Sequence, residues 1–268
     1  MPRIWWCPTG PLTFLPIHAA GIYDQNTLAH CLADFAVSSY IPTLSVLNEL
    51  HSRAPSNTTN EGVLLVSQPN TPGLQAIPFT TAEVQKTREQ LEKRGIRSLL
   101  YTGSEATVDV VLKSLESFSC VHLACHASQE IKNPLESAIH LYDRPLTLPE
   151  IMRKKLPNAG LAFMSACQTS SGDEKLPEEA VHLAAGMLGA GYRSVVATMW
   201  SISDVHAPEV VADIFYKNLL SNISAGRVKL DITKSAHSLH TSIQHLRKKL
   251  GNSPEALRAW IPYIHVGI

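Results

Sequence analysis

The chain has 268 residues, 44% of them hydrophobic, with 23 basic side chains against 23 acidic ones. That is ample for one substantial core, and a balanced charge with no Lys/Arg tract gives no footing for nucleic-acid or anionic-membrane binding. No apolar run reaches the roughly 20 residues of a membrane span, residues 1–8 (MPRIWWCP) lack signal-peptide order, and an odd count of five cysteines predicts free thiols in a reducing, cytoplasmic setting.

Residues 1–51 form an N-terminal stretch, and the polar, turn-rich residues 52–61 (SRAPSNTTNE) separate it from a regular alternating pattern. The apolar run 63–67 (VLLVS) reads as a buried strand. Thr80-Thr81-Ala82-Glu83 has capping-box spacing and predicts a helix to about Arg94. A strand is expected at 98–101, a helix at 108–115 and a strand at 121–124. Thr147-x-x-Glu150 is a second capping box, opening a short helix. A strand at 161–165, a helix at 178–188 and a strand at 194–199 follow. Helices fit 205–220 and 232–250, and 263–266 closes the chain as a strand. Strands alternating with helices predict an α/β fold with a mostly parallel central sheet covered on both faces. No repeat with a period of about 20–50 residues is present.

In such sheets functional sites collect at the carboxyl ends of strands. The strand 121–124 runs directly into Cys125-His126, and 161–165 runs directly into Ala166-Cys167. His126 and Cys167 are 41 residues apart. Two parallel strands of similar length, ending level, would bring them within reach. A cysteine nucleophile needs a partner that favours thiolate and then protonates the leaving amine, and histidine does both. The order His-then-Cys is that of caspases and the reverse of papain-like enzymes. The spacing alone also admits a plainer reading, in which Cys167 is a small residue closing a strand and His126 a satisfied polar residue.

The motifs themselves carry a resemblance. Residues 121–127 (VHLACHA) and 164–169 (MSACQT) resemble the two catalytic motifs of CHAT domains. These are caspase-like domains, related to separase and the caspases and often found beside tetratricopeptide repeats. Residues 184–197 resemble the family's helix-then-strand, 199–204 (MWSISD) its Trp-containing turn, and 213–216 (DIFY) its aromatic pair. Residues 4–20 with 37–44 are similar to its opening hairpin and Tyr-x-Pro-Ser segment.

The resemblance implies a three-layer caspase-like sandwich and one CHAT domain over 1–268. A hairpin/helical subregion would cover about 1–60 and a catalytic core about 61–268. It implies a cysteine endopeptidase with Cys167 as nucleophile and His126 as its partner, needing no cofactor and no metal. Its partners would be a protein substrate and regulatory repeat or signalling domains outside this chain. The alternative is a catalytically silent CHAT domain that serves as a docking module. The backbone N–H groups of Cys167 and Ala127 would bind the oxyanion. Ala127 departs from the family's usual glycine and keeps the N–H, although a positive φ there would strain it. The turn at Trp200 lacks the proline that usually follows the tryptophan. Trp200, Asp204 and Asp173, with Glu174 nearby, are the expected substrate-binding residues, and acidic groups there would favour Arg or Lys at P1.

Other motifs read more plainly. Cys120, His122 and His126 on one strand would be about 7 Å apart per step, too spread for a tetrahedral zinc ion. Gly186, Gly189 and Gly191 are expected to close a helix, not to cradle a phosphate. His18, His140, His182, His237, His240 and His245 are expected on the surface, and Trp5, Trp6, Trp200 and Trp260 as core anchors.

Overall fold

The computed structural model describes residues 1–23, 30–53, 62–128, 136–154, 156–165, 167–168, 179–200, 207–221 and 230–268; for 167–168, 179–182 and 207–209 it describes the backbone. The strands are β1 (Arg3–Trp6), β2 (Gly21–Ile22), β3 (His30–Cys31), β4 (Val37–Tyr40), β5 (Val63–Ser67), β6 (Ser98–Thr102), β7 (Cys120–Ala124), β8 (His126–Ser128), β9 (Ala138–His140), β10 (Pro145–Thr147), β11 (Leu161–Met164), β12 (Cys167–Gln168), β13 (Ser194–Thr198) and β14 (Tyr263–Gly267). The helices are α1 (Leu44–Ser52), α2 (Phe79–Lys93), α3 (Val108–Leu115), α4 (Leu148–Arg153), α5 (Glu179–Ala190), α6 (Ala207–Leu219), α7 (Ser235–Leu250) and α8 (Pro254–Trp260).

Eight strands form the main sheet in the order β1-β4-β14-β13-β11-β7-β5-β6. Every neighbouring pair is parallel except β13 with β14. The period-two rule of a strand divides its side chains between two cores. Leu64 and Val66 of β5, Val121 and Leu123 of β7, and Ala162 and Met164 of β11 join one cluster. α1, α3, α4 and α5 cover that face through Leu50, Val111, Ile151 and Met187. Val63 and Leu65, Cys120 and Ala124, and Leu161 and Phe163 take the opposite face. There α2, α6, α7 and α8 cover them through Leu91, Phe215, Leu246 and Trp260. The result is a three-layer α/β sandwich whose central strands are apolar on both faces, as a doubly covered parallel sheet requires.

A second sheet, β10-β9-β8-β12, continues from the middle of the first. β8 begins two residues after β7 ends, and β12 three residues after β11 ends. Its strands are only two or three residues long.

Several local expectations are corrected. The opening segment is not a simple hairpin: β1 pairs with β4 in parallel, and both strands enter the main sheet beside β14. The capping box at Thr80 does not form. α2 starts at Phe79 with Pro78 at the N-cap and no side-chain cap, while Thr80 Oγ1 donates to the Ile77 carbonyl at 2.9 Å. The box at Thr147 does form, with the Thr147 backbone N–H donating to Glu150 Oε2 at 3.0 Å. Gly186 and Gly189 lie inside α5, not at its end. A Cβ there would meet Leu148 Cδ2 at 2.6 Å and Met152 Cε at 3.0 Å respectively, so both glycines let α4 approach closely. Gly191 alone closes the helix, at φ +124°. His18 is buried, not on the surface: Nε2 donates to the Ile261 carbonyl at 2.9 Å, and Nδ1 accepts from the Tyr40 hydroxyl at 2.8 Å. His140 and His240 are half-buried. Trp260 is fully buried, while Trp6 and Trp200 are part-buried against the core.

Candidate active site

The site begins with the pairing of β7 and β11. Leu161 lies opposite Cys120 and Met164 opposite Leu123, an offset of 41 residues. That offset continues unbroken into the second sheet, where Cys167 lies opposite His126 and Gln168 opposite Ala127. The chain therefore crosses the break at Cys125 and its counterpart after Ser165 without losing register. Neighbouring strands lie about 4.8 Å apart, so the two residues named by their spacing stand side by side on one ladder.

His126 is buried. Its Nε2 meets the Gln75 carbonyl oxygen at 2.7 Å. A carbonyl only accepts, so Nε2 carries the hydrogen and, in the neutral ring, Nδ1 is the acceptor. Nδ1 has no hydrogen-bond partner among the described residues. The loop that presents Gln75 is tied down on both sides. Gln68 N donates to the Ala124 carbonyl at 2.9 Å and Ile77 N to the Pro69 carbonyl at 2.8 Å. Gln68 Nε2 donates to the Gly103 carbonyl at 2.8 Å, and Ser67 Oγ to Thr80 Oγ1 at 3.1 Å.

On its other side β8 pairs antiparallel with β9, Ala127 opposite Ile139. One step along that ladder His140 faces His126. Burial, and then the neighbouring His126, hold the His140 pKa below the ordinary imidazole value. Ala127 is extended backbone within β8, so alanine sits there without left-handed strain.

A second polar cluster lies just beneath and was missed in the sequence. Glu83 on the inner face of α2 is 2% exposed, His122 0% and Ser165 4%. His122 Nε2 donates to Glu83 Oε1 at 3.0 Å, and Ser165 Oγ donates to Glu83 Oε2 at 3.1 Å. The His122 ring stacks on Tyr216 with 5.7 Å between centroids and packs against Phe163 at 4.6 Å. One sign was legible: an acidic residue on the buried face of an amphipathic helix, with a histidine inside an otherwise apolar strand.

The remaining expected site residues divide in two. Trp200 follows β13, the neighbour of β11, so it lies near the same sheet edge, part-buried against the core. Asp173, Glu174 and Asp204 lie outside the described residues, as does the side chain of His182. His126 belongs to the second sheet while Cys120 and His122 belong to β7. Among the described residues no three His, Cys, Asp or Glu side chains group as a metal site, and no helix is long and apolar enough to cross a membrane.

A family model for the CHAT domain matches residues 1–267. No curated protein is similar to the sequence. Among solved structures, the crystal structure of the Arg specific cysteine proteinase gingipain R matches with a TM-score of 0.57 at 11% sequence identity, covering 87% of this chain and 54% of that one. The chain thus spans about half the length of that structure. At such an identity the likeness is one of fold, and the fold shared is the caspase-like α/β sandwich.

Proposed function

Since the chain belongs to the CHAT family of caspase-like peptidases, we propose that it is a cysteine endopeptidase with Cys167 as nucleophile and His126 as its acid–base partner. The observation that carries this reading is the register that sets Cys167 opposite His126 at the ends of two central strands. The Gln75 carbonyl supports it. With Nε2 committed to that oxygen, Nδ1 is the nitrogen left to take the thiol proton.

The reaction is acyl transfer. Cys167 Sγ attacks the peptide carbonyl carbon, and the negative charge forms on oxygen between the N–H groups of Cys167 and Ala127. His126, protonated at both nitrogens and still bonded to Gln75, gives its Nδ1 proton to the departing amine. It then takes a proton from water, which attacks the thioester and frees the acid. Trp200 forms a wall of the substrate site, and Asp173 and Asp204 favour Arg or Lys at P1. One domain over 1–268 carries these parts, and its substrates are proteins met in the cytoplasm. Free thiols at Cys7 and Cys31 accord with a reducing compartment. Repeat or signalling domains outside the chain regulate it.

The test is labelling with peptide electrophiles varied at P1, comparing wild type with Cys167→Ala and His126→Ala. The reading expects labelling to vanish in the first variant and to slow by about 10²-fold or more in the second. Labelling of wild type that never depends on Cys167 would sink the peptidase and leave the docking module.

A further inference from the structure

We propose that Glu83 is a positioning residue that holds the strand end carrying Cys167 in the register the site requires. The catalytic consequence rests on the reading of Cys167 as nucleophile; the anchoring itself does not.

One carboxyl bridges both central strands just ahead of the dyad. Its Oε1 takes the Nε2 hydrogen of His122, which lies in β7 four residues before His126. Its Oε2 takes the hydroxyl hydrogen of Ser165, two residues before Cys167. The Ser165 backbone N–H is already engaged with the Leu123 carbonyl at 3.0 Å. Main chain and side chain of this one residue are therefore tied to two different partners as the chain leaves β11.

The same stretch of chain serves the other half of the site. Gln75, eight residues before Glu83, supplies the carbonyl that orients His126. Between them Thr80 is locked to Ser67 and to the Ile77 carbonyl. The segment from Gln75 to Glu83 thus works as one brace, touching His126 at its beginning and the approach to Cys167 at its end. A leucine at position 83 would have about the same volume but would leave the buried His122 Nε2–H and Ser165 hydroxyl without this acceptor. What a carboxyl adds is direction: two hydrogen bonds at fixed angles to two different strands.

Ser165→Ala removes the link and spares the His122 contact. Glu83→Gln keeps the volume and an acceptor for His122, and replaces the charge-assisted Ser165 bond by a weaker neutral one in which the amide N–H donates to Ser165 Oγ. Ser242→Ala is the control, because Ser242 is equally buried and, among the described residues, its hydroxyl bonds within α7, to the Ser238 carbonyl at 2.8 Å. The readouts are hydrogen exchange of the peptide spanning 161–168, followed by mass spectrometry, and kcat and KM on the best peptide substrate. Both site variants are expected to raise exchange at 165–168 about tenfold and to lower kcat about tenfold with KM within about twofold, and the double variant to lose no more than either single one. The control is expected to change neither.

Exchange at 165–168 no higher in the site variants than in the control overturns the anchoring. Raised exchange with unchanged kcat overturns its catalytic consequence. Raised exchange in a protein whose wild type shows no Cys167-dependent activity upholds the anchoring and sinks the peptidase reading instead.

Discussion

His18 makes the fold acid-sensitive. It is buried, with Nε2 donating to the Ile261 carbonyl and Nδ1 accepting from Tyr40. Both bonds suit the neutral ring, and a second proton on Nδ1 would face a hydroxyl that now donates to it. Burial lowers its pKa from 6.5 to about 4, against a smaller upward pull from the Ile261 carbonyl. Below pH 6.5 the unfolded chain therefore takes up a proton that the folded chain refuses. Stability falls as the pH drops from 6.5 towards 4 and levels off below that. At 1.36 kcal/mol per pKa unit the full loss is about 3 kcal/mol, and at pH 5 about 2 kcal/mol is already gone. Urea unfolding at pH 8 and pH 5, in wild type and His18→Gln, isolates this share, because every other titrating group is common to both. Wild type is expected to lose about 2 kcal/mol more than the variant on acidification. Equal losses in the two proteins would refute the reasoning. His265, fully enclosed by Ser39, Ser194 and Ser235, is displaced in the same direction and adds acid sensitivity to both.

Three further outcomes are expected. Phe163→Ala opens a hole in the core facing α6 and is expected to cost about 3–5 kcal/mol in thermal or urea unfolding; Phe163 has no exposed surface. Gly267→Ala meets both a backbone clash and strain, since its φ is +105° and a Cβ would lie 2.3 Å from the Arg193 carbonyl oxygen. Its unfolding midpoint is expected to fall further than that of Gly73→Ala, where φ is +82° in open space and strain of about 1–3 kcal/mol acts alone. Thr147→Ala removes the capping box of α4 and is expected to cost about 1 kcal/mol. A smaller change than about half that would mean that Glu150 caps the helix unaided.

The main sheet was readable because its strands are apolar runs of four or five residues separated by helices with their own periodicity. β5, α3 and the central strands fall where pattern alone puts them, and the offset of 41 residues between His126 and Cys167 turned out to be a ladder register. The second sheet was not readable, because strands of two or three residues are too short to show a period. Parallel pairing of β1 with β4 likewise leaves no local mark. The buried cluster at Glu83 was hidden by a motif. Thr80-x-x-Glu83 looks like a helix cap, yet the helix starts two residues earlier, with Pro78 as its N-cap, and Glu83 lies on its buried face against His122 and Ser165. His18 was misread for a related reason: polar type predicts exposure only until tertiary partners, here Tyr40 and Ile261, are known.

The continuous register has an evolutionary corollary. Between Ser128 and Leu161 the chain leaves the ladder, forms β9, β10 and α4, and returns. Length can drift in that excursion while the pairing stays as it is. At Cys125, or between Met164 and Cys167, one residue gained or lost would slide one partner past the other by about 3.3 Å and turn it to the opposite face. Among descendants of this domain, length changes are thus expected in the detour and not at the two short hinges between the sheets.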